Sequence, residues 1–212
     1  MNKIKMIGLA VVAVFALMAT VGAASASAGA TLCSTNTSPC TGTQYGSGTK
    51  VTGQLAAGFD ATLTTSIGNV TCLKSTVGGV LNNVEGHGEI TSLTFTECKL
   101  GTTSCTVSAV NLPYTATAIS TAATLGQGNG DLTISAKAGG GTPGASVVCG
   151  SFINCTFSNG DIILKVIGGN PAILHAESVE LSRSGGICPS TSKWDATYEV
   201  TSPKPLFIEP LP

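Results

Sequence analysis

Short runs of apolar and β-branched residues recur along most of the chain, and Gly, Asn and Pro separate them every 8 to 12 residues or so. The clearest run is KWDATYEV, in which Trp194, Ala196, Tyr198 and Val200 fall on one face at a period of two. This alternation predicts a β-strand with one face against a core. No amphipathic helical pattern follows the N-terminal apolar run. We therefore expect an all-β, mainly antiparallel sandwich, Ig-like or jelly-roll-like, stapled by disulfides.

Other segments add detail to this expectation. DIILKVI (161–167) is apolar on both faces apart from Lys165, which predicts a central strand covered on both sides. Asn-Gly-Asp at 129–131 and again at 159–161 predicts two hairpin turns, because Asn and Gly tolerate the positive φ of tight turns. AKAGGGTPGAS (136–146) predicts a loop inside a single domain, since strand-like segments continue on both sides.

The N-terminus has the pattern of a secretory signal peptide. Lys3 and Lys5 precede an apolar run of about fifteen residues, and small residues then lead to an A-x-A motif that ends at Ala28. This predicts cleavage near Ala28 and a secreted, extracellular protein. No later stretch approaches the roughly 20 apolar residues of a transmembrane helix, so we expect no integral membrane segment after signal removal.

The expected organisation has four parts. They are a signal peptide at 1–28, a polar N-terminal segment at 29–50, the sandwich domain at 51–202 and a Pro-rich tail at 203–212. Prolines in the tail exclude a central strand there and predict an edge strand or an extended arm.

Cysteine usage agrees with export. The chain has eight cysteines and no C-x-x-C motif, so structural disulfides are favoured over redox or zinc chemistry. Closeness along the chain predicts three short pairs and leaves a fourth by elimination: Cys33–Cys40, Cys98–Cys105, Cys149–Cys155 and Cys72–Cys188.

Charge is sparse and narrows the range of partners. Charged residues make up 10% of the chain and the formal net charge is −1. Binding of nucleic acid or of an anionic membrane surface depends on clustered Lys and Arg, and no such tract occurs. We therefore expect no nucleic-acid partner, and a cell-envelope component or a small apolar ligand instead.

The densest group of ionisable residues lies in VEGHGEITSLTF, residues 84–95. If one strand runs through it, Glu85, His87 and Glu89 share a face with Leu93 and Phe95, at the wet margin of that face. The two intervening glycines permit a bulge that would break this parity. Glu-His-Glu is a possible Zn²⁺ or Cu²⁺ ligand set, although no ligand from a second strand can be named. The favoured interpretation is a solvated strand end.

No other catalytic pattern stands out. His175 lies on a mixed strand face and is interpreted as structural, G-x-S-x-G is absent, and the scattered acids offer no preferred pair. In CGSFINC, Phe152 and Ile153 either form an apolar binding tip or fold back into the core, which is the favoured interpretation. Together with Trp194 they are the candidate binding residues. We expect a non-catalytic protein without a cofactor.

The succession GNVTC, EITSLTFTEC, CTVSAVNLPY, VVCGSFINCTF and LSRSGGICPSTSKWDATYEVT resembles a group of uncharacterised exported proteins from high-GC Gram-positive bacteria. The resemblance implies bacterial export, and because the group has no assigned activity it points to no particular catalytic function. At the level of architecture, a small exported β-sandwich with disulfide-clasped hairpins is similar to the neocarzinostatin-type apoproteins, which carry an apolar small molecule.

The leading hypothesis is a non-catalytic protein with a structural or binding role at the cell surface or in the medium. One alternative is a carrier of an apolar small molecule in a cleft between sheets. A second alternative is a metal-dependent enzyme that uses Glu85, His87 and Glu89.

Overall fold

The computed structural model describes residues 28–121, 124, 126–183 and 188–211. These residues form fourteen β-strands and no helix, which confirms the all-β prediction. Most of the predicted signal peptide lies outside the described residues. The strands are β1 (Ala28–Cys33), β2 (Lys50–Leu55), β3 (Ala61–Thr65), β4 (Gly68–Leu81), β5 (His87–Leu100), β6 (Thr103–Val110), β7 (Tyr114–Ser120), β8 (Gly130–Ala136), β9 (Gly144–Cys149), β10 (Ile153–Ser158), β11 (Asp161–Ile167), β12 (Ile173–Arg183), β13 (Thr191–Ser202) and β14 (Phe207–Pro210).

All the strands belong to one antiparallel sheet that closes on itself twice. The first ring runs β5–β7–β8–β11–β12–β13–β2–β4 and returns to β5. The second ring runs β5–β6–β9–β10–β12–β13–β3–β4 and also returns to β5. The antiparallel prediction is therefore confirmed, whereas two separate sandwich sheets are not observed, because hydrogen bonding joins all the strands into one sheet.

Four long strands, β4, β5, β12 and β13, belong to both rings, and irregularities lie near the change of partner in β5 and β12. β5 leaves β7 for β6 and carries a bulge before Cys98, where Glu97 has a φ of 56°. β12 leaves β11 for β10 through a bulge between Ala176 and Val179. Within that bulge Ser178 donates its backbone N–H to Asp195 Oδ1 at 2.7 Å. Bulges bend and twist a strand, so they allow one strand to follow two rings.

β1 and β14, from the two ends of the described chain, pair with each other and join the first ring through β7. β14 is the outermost strand in the sheet order, which confirms the edge-strand prediction for the Pro-rich tail. Beneath these strands Leu32, Leu206 and Ile208 pack into an apolar cluster with residues of the first ring. The two terminal segments therefore cover one end of the interior.

Burial follows the inner and outer faces of the closed sheet. Ala196, Tyr198 and Val200 are buried, as the alternation in β13 predicts. The prediction for β11 is wrong, because Ile163 and Ile167 are 53% and 47% exposed. Only one face of a closed sheet meets the interior, and these two isoleucines lie on the other.

The two Asn-Gly-Asp predictions have different outcomes. β7 and β8 do pair as a hairpin, but the predicted tight turn at Asn129-Gly130 is not found, because Gly130 already begins β8 after a longer connection. The second prediction is wrong, since Asn159-Gly160 connects β10 to β11, and each of these strands pairs with a different part of β12. This turn carries the chain from the second ring to the first.

The disulfides are Cys33–Cys40, Cys72–Cys98, Cys105–Cys149 and Cys155–Cys188. The first confirms its prediction, and the predicted Cys98–Cys105, Cys149–Cys155 and Cys72–Cys188 are wrong.

The reason is strand register rather than distance along the chain. Cys72, Cys98, Cys105 and Cys149 lie directly opposite one another on four successive strands, β4, β5, β6 and β9. The two central cysteines, Cys98 and Cys105, could each bond to either neighbour in this row, and the two outer pairs form. Cys155, left over, reaches Cys188 across 33 residues.

Removing the Cys105–Cys149 disulfide with the double variant Cys105→Ala/Cys149→Ala tests the connectivity. The bond spans 44 residues, and loop-closure entropy predicts a loss of about 4 kcal/mol of stability. Removing Cys33–Cys40, which spans 7 residues, should cost about 2 kcal/mol. Denaturant unfolding measures both losses. Thiol titration of the unfolded Cys105/Cys149 variant should find no free thiol. Two free thiols would instead support the pairing predicted from closeness along the chain.

Glu209 is an unusual buried group at the covered end of the fold. It is fully buried, and neither carboxylate oxygen has a hydrogen-bond partner of standard geometry among the described residues. The Oγ1 of Thr31, its register partner on β1, is likewise buried without a partner. Burial raises the pKa of Glu209, and the smaller influence of the Ser38 hydroxyl opposes this rise.

A carboxyl whose pKa is raised in the folded state stabilises the fold below its unfolded pKa of about 4.3, and this contribution is lost as the pH rises through the folded pKa. We expect Glu209→Gln to gain stability relative to the wild type as the pH rises from about 4 to 7. Urea unfolding across this range measures the difference. Glu177→Gln, at an exposed position on β12, is the matched control. Parallel pH curves for Glu209→Gln and the wild type would contradict the prediction.

Candidate functional site

The Glu-His-Glu stretch lies where β4 turns into β5. Glu85 is exposed in the turn, and its backbone N–H donates to Asn83 Oδ1 at 3.0 Å. His87 is the first residue of β5, with its Nδ1 3.2 Å from Thr117 Oγ1. Glu89 forms an ion pair with Lys137 at 2.8 Å. The His87 and Glu89 side chains therefore contact different partners, and Glu85 lies exposed in the turn.

The predicted parity of this stretch is wrong. β5 contains an extra residue opposite the step from Gly78 to Gly79, which breaks the alternation between Ile90 and Ser92. Before the bulge Ile90 faces the interior, so His87 and Glu89 face outward. After it Leu93 and Phe95 face the interior. The bulge that the glycines were expected to permit does occur, but further along the strand.

These residues do not assemble a metal centre. Among the described residues, no group of three or more His, Cys, Asp and Glu side chains has a metal-binding arrangement. His175 lies on β12, with its Nδ1 3.1 Å from the Oγ1 of Thr197 on β13. Both histidines thus lie beside a threonine on an adjacent strand.

Phe152 and Ile153 separate in space. Phe152 is 96% exposed in the turn between β9 and β10, whereas Ile153 begins β10 and packs against the core. The expectation that both fold inward is wrong for Phe152. The turn contains only Gly150–Phe152 between two paired strands, and in this conformation it holds the phenyl ring away from the interior.

The interior of the closed sheet contains an apolar cavity of about 150 Å³. Its lining comes from strands of both rings and is almost wholly apolar. Trp194 and Tyr198 form part of the wall, with ring centroids 6.5 Å apart and planes inclined at 57°. Trp194, a candidate binding residue from the sequence, is the chain's only tryptophan.

The polar groups of the cavity wall bond to one another. The Tyr198 hydroxyl is 2.8 Å from Ser75 Oγ, which donates to the Thr94 carbonyl at 2.7 Å. The Tyr114 hydroxyl donates to the Val110 carbonyl. The tyrosine hydroxyls are therefore engaged by the wall, and the cavity presents hydrocarbon to an occupant.

Burial also sets the ionisation of these tyrosines. It raises the pKa of Tyr198 to about 12, while the Ser75 hydrogen bond opposes the rise. Burial raises the pKa of Tyr114 as well, with a smaller opposing effect from Gly144. Both rings are neutral at physiological pH, which keeps the cavity free of charge.

A second apolar cavity of about 80 Å³ lies under β1 and β14. Leu32, Ala118, Val166 and Ile208 are among its lining residues. Gly86, from the Glu-His-Glu stretch, also contributes to its wall. A Cβ at Gly86 would approach the Ala30 carbonyl oxygen to 2.7 Å, and its φ is +70°, so only glycine fits here.

The chain matches no family model, no curated protein and no solved structure significantly. None of the described residues forms a helix long and apolar enough to cross a membrane.

Sequence reasoning missed most of the cavity, although it found Trp194. The inward positions on each strand were visible as alternating apolar residues, for example Ile162 and Leu164 in β11. Alternation shows that a face is buried but not how far apart opposing faces lie. The cavity depends on that separation, which the two ring closures determine.

The raised pKa of Tyr198 generates a test of the cavity wall. Its stabilising contribution is complete below the unfolded pKa of about 10 and is lost as the pH rises through about 12. The free energy of unfolding that Tyr198 loses in this way is roughly 2 to 3 kcal/mol. Tyr198→Phe should not show this part of the alkaline loss of stability. At neutral pH it should be only about 1 kcal/mol less stable than the wild type. Denaturant unfolding at pH 9 and above measures this, and equal alkaline losses in both proteins would show that Tyr198 ionises freely.

Proposed function

We propose that this protein is an exported, non-catalytic binding protein that carries a small apolar molecule inside its closed sheet. The observation that carries the proposal is the apolar cavity of about 150 Å³ at the centre of the interior. A closed sheet of about eight strands has an interior that either fills with side chains or holds one small ligand.

An empty cavity is costly, which argues for an occupant. Cavities in protein cores destabilise by about 24 cal/mol per Å³, so a cavity of this size costs roughly 3 to 4 kcal/mol. That is a large part of the 5 to 15 kcal/mol by which typical domains are stable. A bound apolar molecule restores the missing contacts and links binding to stability.

The wall defines the chemistry of the ligand. Val147, Leu164 and Phe95 offer hydrocarbon, and the hydroxyls of Tyr198 and Tyr114 are bonded within the wall. A ligand with a polar group inside this cavity would lose hydrogen bonds to water without replacing them. A cavity of this size is comparable to one that binds benzene, which sets the scale for an apolar ligand.

Export is the second component of the proposal. The predicted signal peptide motivates it, and four disulfides are typical of proteins in oxidising compartments outside the cytosol. The resemblance to exported bacterial proteins points in the same direction. Outside the cell, a stapled and closed sheet would keep an apolar molecule away from water.

Benzene binding tests the proposal, with Trp194 fluorescence as the readout because this single tryptophan lines the cavity. We expect saturable binding by the wild type. Val147 is 2% exposed and faces the cavity, so Val147→Phe should fill it and weaken benzene binding at least about tenfold. Val148→Phe is the matched control, because Val148 lies next to it on β9 but is 38% exposed on the outer face.

Three outcomes are informative. Loss of binding in Val147→Phe alone supports the proposal. Equal binding by all three proteins would place benzene elsewhere, and no binding by the wild type would overturn the proposal. If the proposal is supported, mass spectrometry of protein purified natively from its producing cell would identify the physiological ligand.

A further inference from the structure

The two interior cavities share part of their walls. Five residues line both of them and form a collar between the two spaces: Val51, Gly79, Leu132, Leu174 and Val200. The collar residues belong to β2, β4, β8, β12 and β13, all strands of the first ring. The larger cavity lies on one side of the collar, and the smaller lies beneath β1 and β14 on the other.

The interior is therefore elongated. A compact molecule of ring size fills the larger cavity alone, whereas a molecule that fills both has to pass through the collar. A flexible, unbranched chain is thin enough to pass between leucine and valine side chains that move slightly apart. A branched molecule of the same carbon count requires a wider opening at the collar.

The lining also restricts where a polar end of such a chain can lie. Among the described residues that line the two cavities, Glu89 is the only one with a charged side chain. Its side chain faces outward, is 23% exposed and pairs with Lys137 at the surface. Neither cavity therefore offers a charged partner to a polar end, which avoids the desolvation cost of the interior only by staying in contact with water.

Resting on the proposed function, we propose that the ligand is a single-chain amphiphile. Its unbranched hydrocarbon chain passes through the collar to occupy both cavities, and its polar end stays outside the apolar interior. Each methylene that enters the cavities adds about 0.8 kcal/mol, which corresponds to roughly fourfold tighter binding per methylene. The gain ends when the chain has filled both cavities.

A series of linear primary alcohols from pentanol to dodecanol tests this, with affinity measured by calorimetry on the full protein. Nonan-1-ol and 3,5,5-trimethylhexan-1-ol have the same number of carbons, so comparing them separates chain shape from general hydrophobicity. We expect affinity to rise by about fourfold per methylene up to a plateau, and nonanol to bind at least about tenfold more tightly than its branched isomer.

Val166→Phe fills only the smaller cavity, because Val166 lines that cavity and not the larger one. It should leave benzene binding unchanged and shift the plateau of the alcohol series to shorter chains. Val147→Phe is the matched substitution in the larger cavity and should weaken both ligand types. Ala118→Val, also in the smaller cavity, is a milder variant that serves if Val166→Phe does not fold.

The outcomes separate this inference from the proposed function. If benzene binds but nonanol binds no tighter than its branched isomer, the chain inference fails and the carrier proposal stands. If Val166→Phe and Ala118→Val fold and leave the plateau unchanged, the chain does not use the smaller cavity and the inference is overturned. If neither benzene nor any alcohol binds, the carrier proposal fails.

Discussion

Closure of the sheet is the constraint on which the rest of the structure depends. Every strand of the two rings has a hydrogen-bonded neighbour on both sides, so backbone donors and acceptors are satisfied without helices. The closures require β4, β5, β12 and β13 to serve two sets of partners, and bulges in β5 and β12 supply the bends that this needs. Closure also leaves few open edges for unwanted pairing with other chains.

Closure also explains the distribution of side chains. One face of every ring strand meets the interior, which is why a chain poor in aromatics can build a core from Val, Ile, Leu and Ala. The opposite face is the outer surface, where Ile163 and Ile167 are exposed. An interior surrounded by closed rings of strands collapses poorly to fill its voids when side chains are small. The cavities follow from this combination of fixed perimeter and modest side-chain volume.

The sequence predicted local features better than distances. Alternation found the buried face of β13, including Trp194, because side-chain direction in a strand depends only on the neighbouring residues. It failed at His87 and Glu89, because one extra residue in β5 moves the side chains before it to the opposite face of the sheet. The prediction of the disulfides failed for a related reason. Pairing of cysteines depends on the register between strands, which the spacing of cysteines along the chain does not determine. The cavities were invisible because they depend on the perimeter of the whole sheet.

The row of half-cystines on β4, β5, β6 and β9 also makes correct disulfide formation depend on the order in which these strands pair. β5 and β6 are joined by a short turn, so their hairpin can form before more distant strands arrive. In that hairpin Cys98 lies opposite Cys105, and the two are not bonded to each other in the native protein. Among the four half-cystines of this row, the hairpin therefore brings a non-native pair of thiols together first. An oxidant that acts before β4 and β9 dock closes the wrong bond, which thiol–disulfide exchange must then reopen. The order of oxidation and strand docking therefore decides how directly this chain reaches its native state.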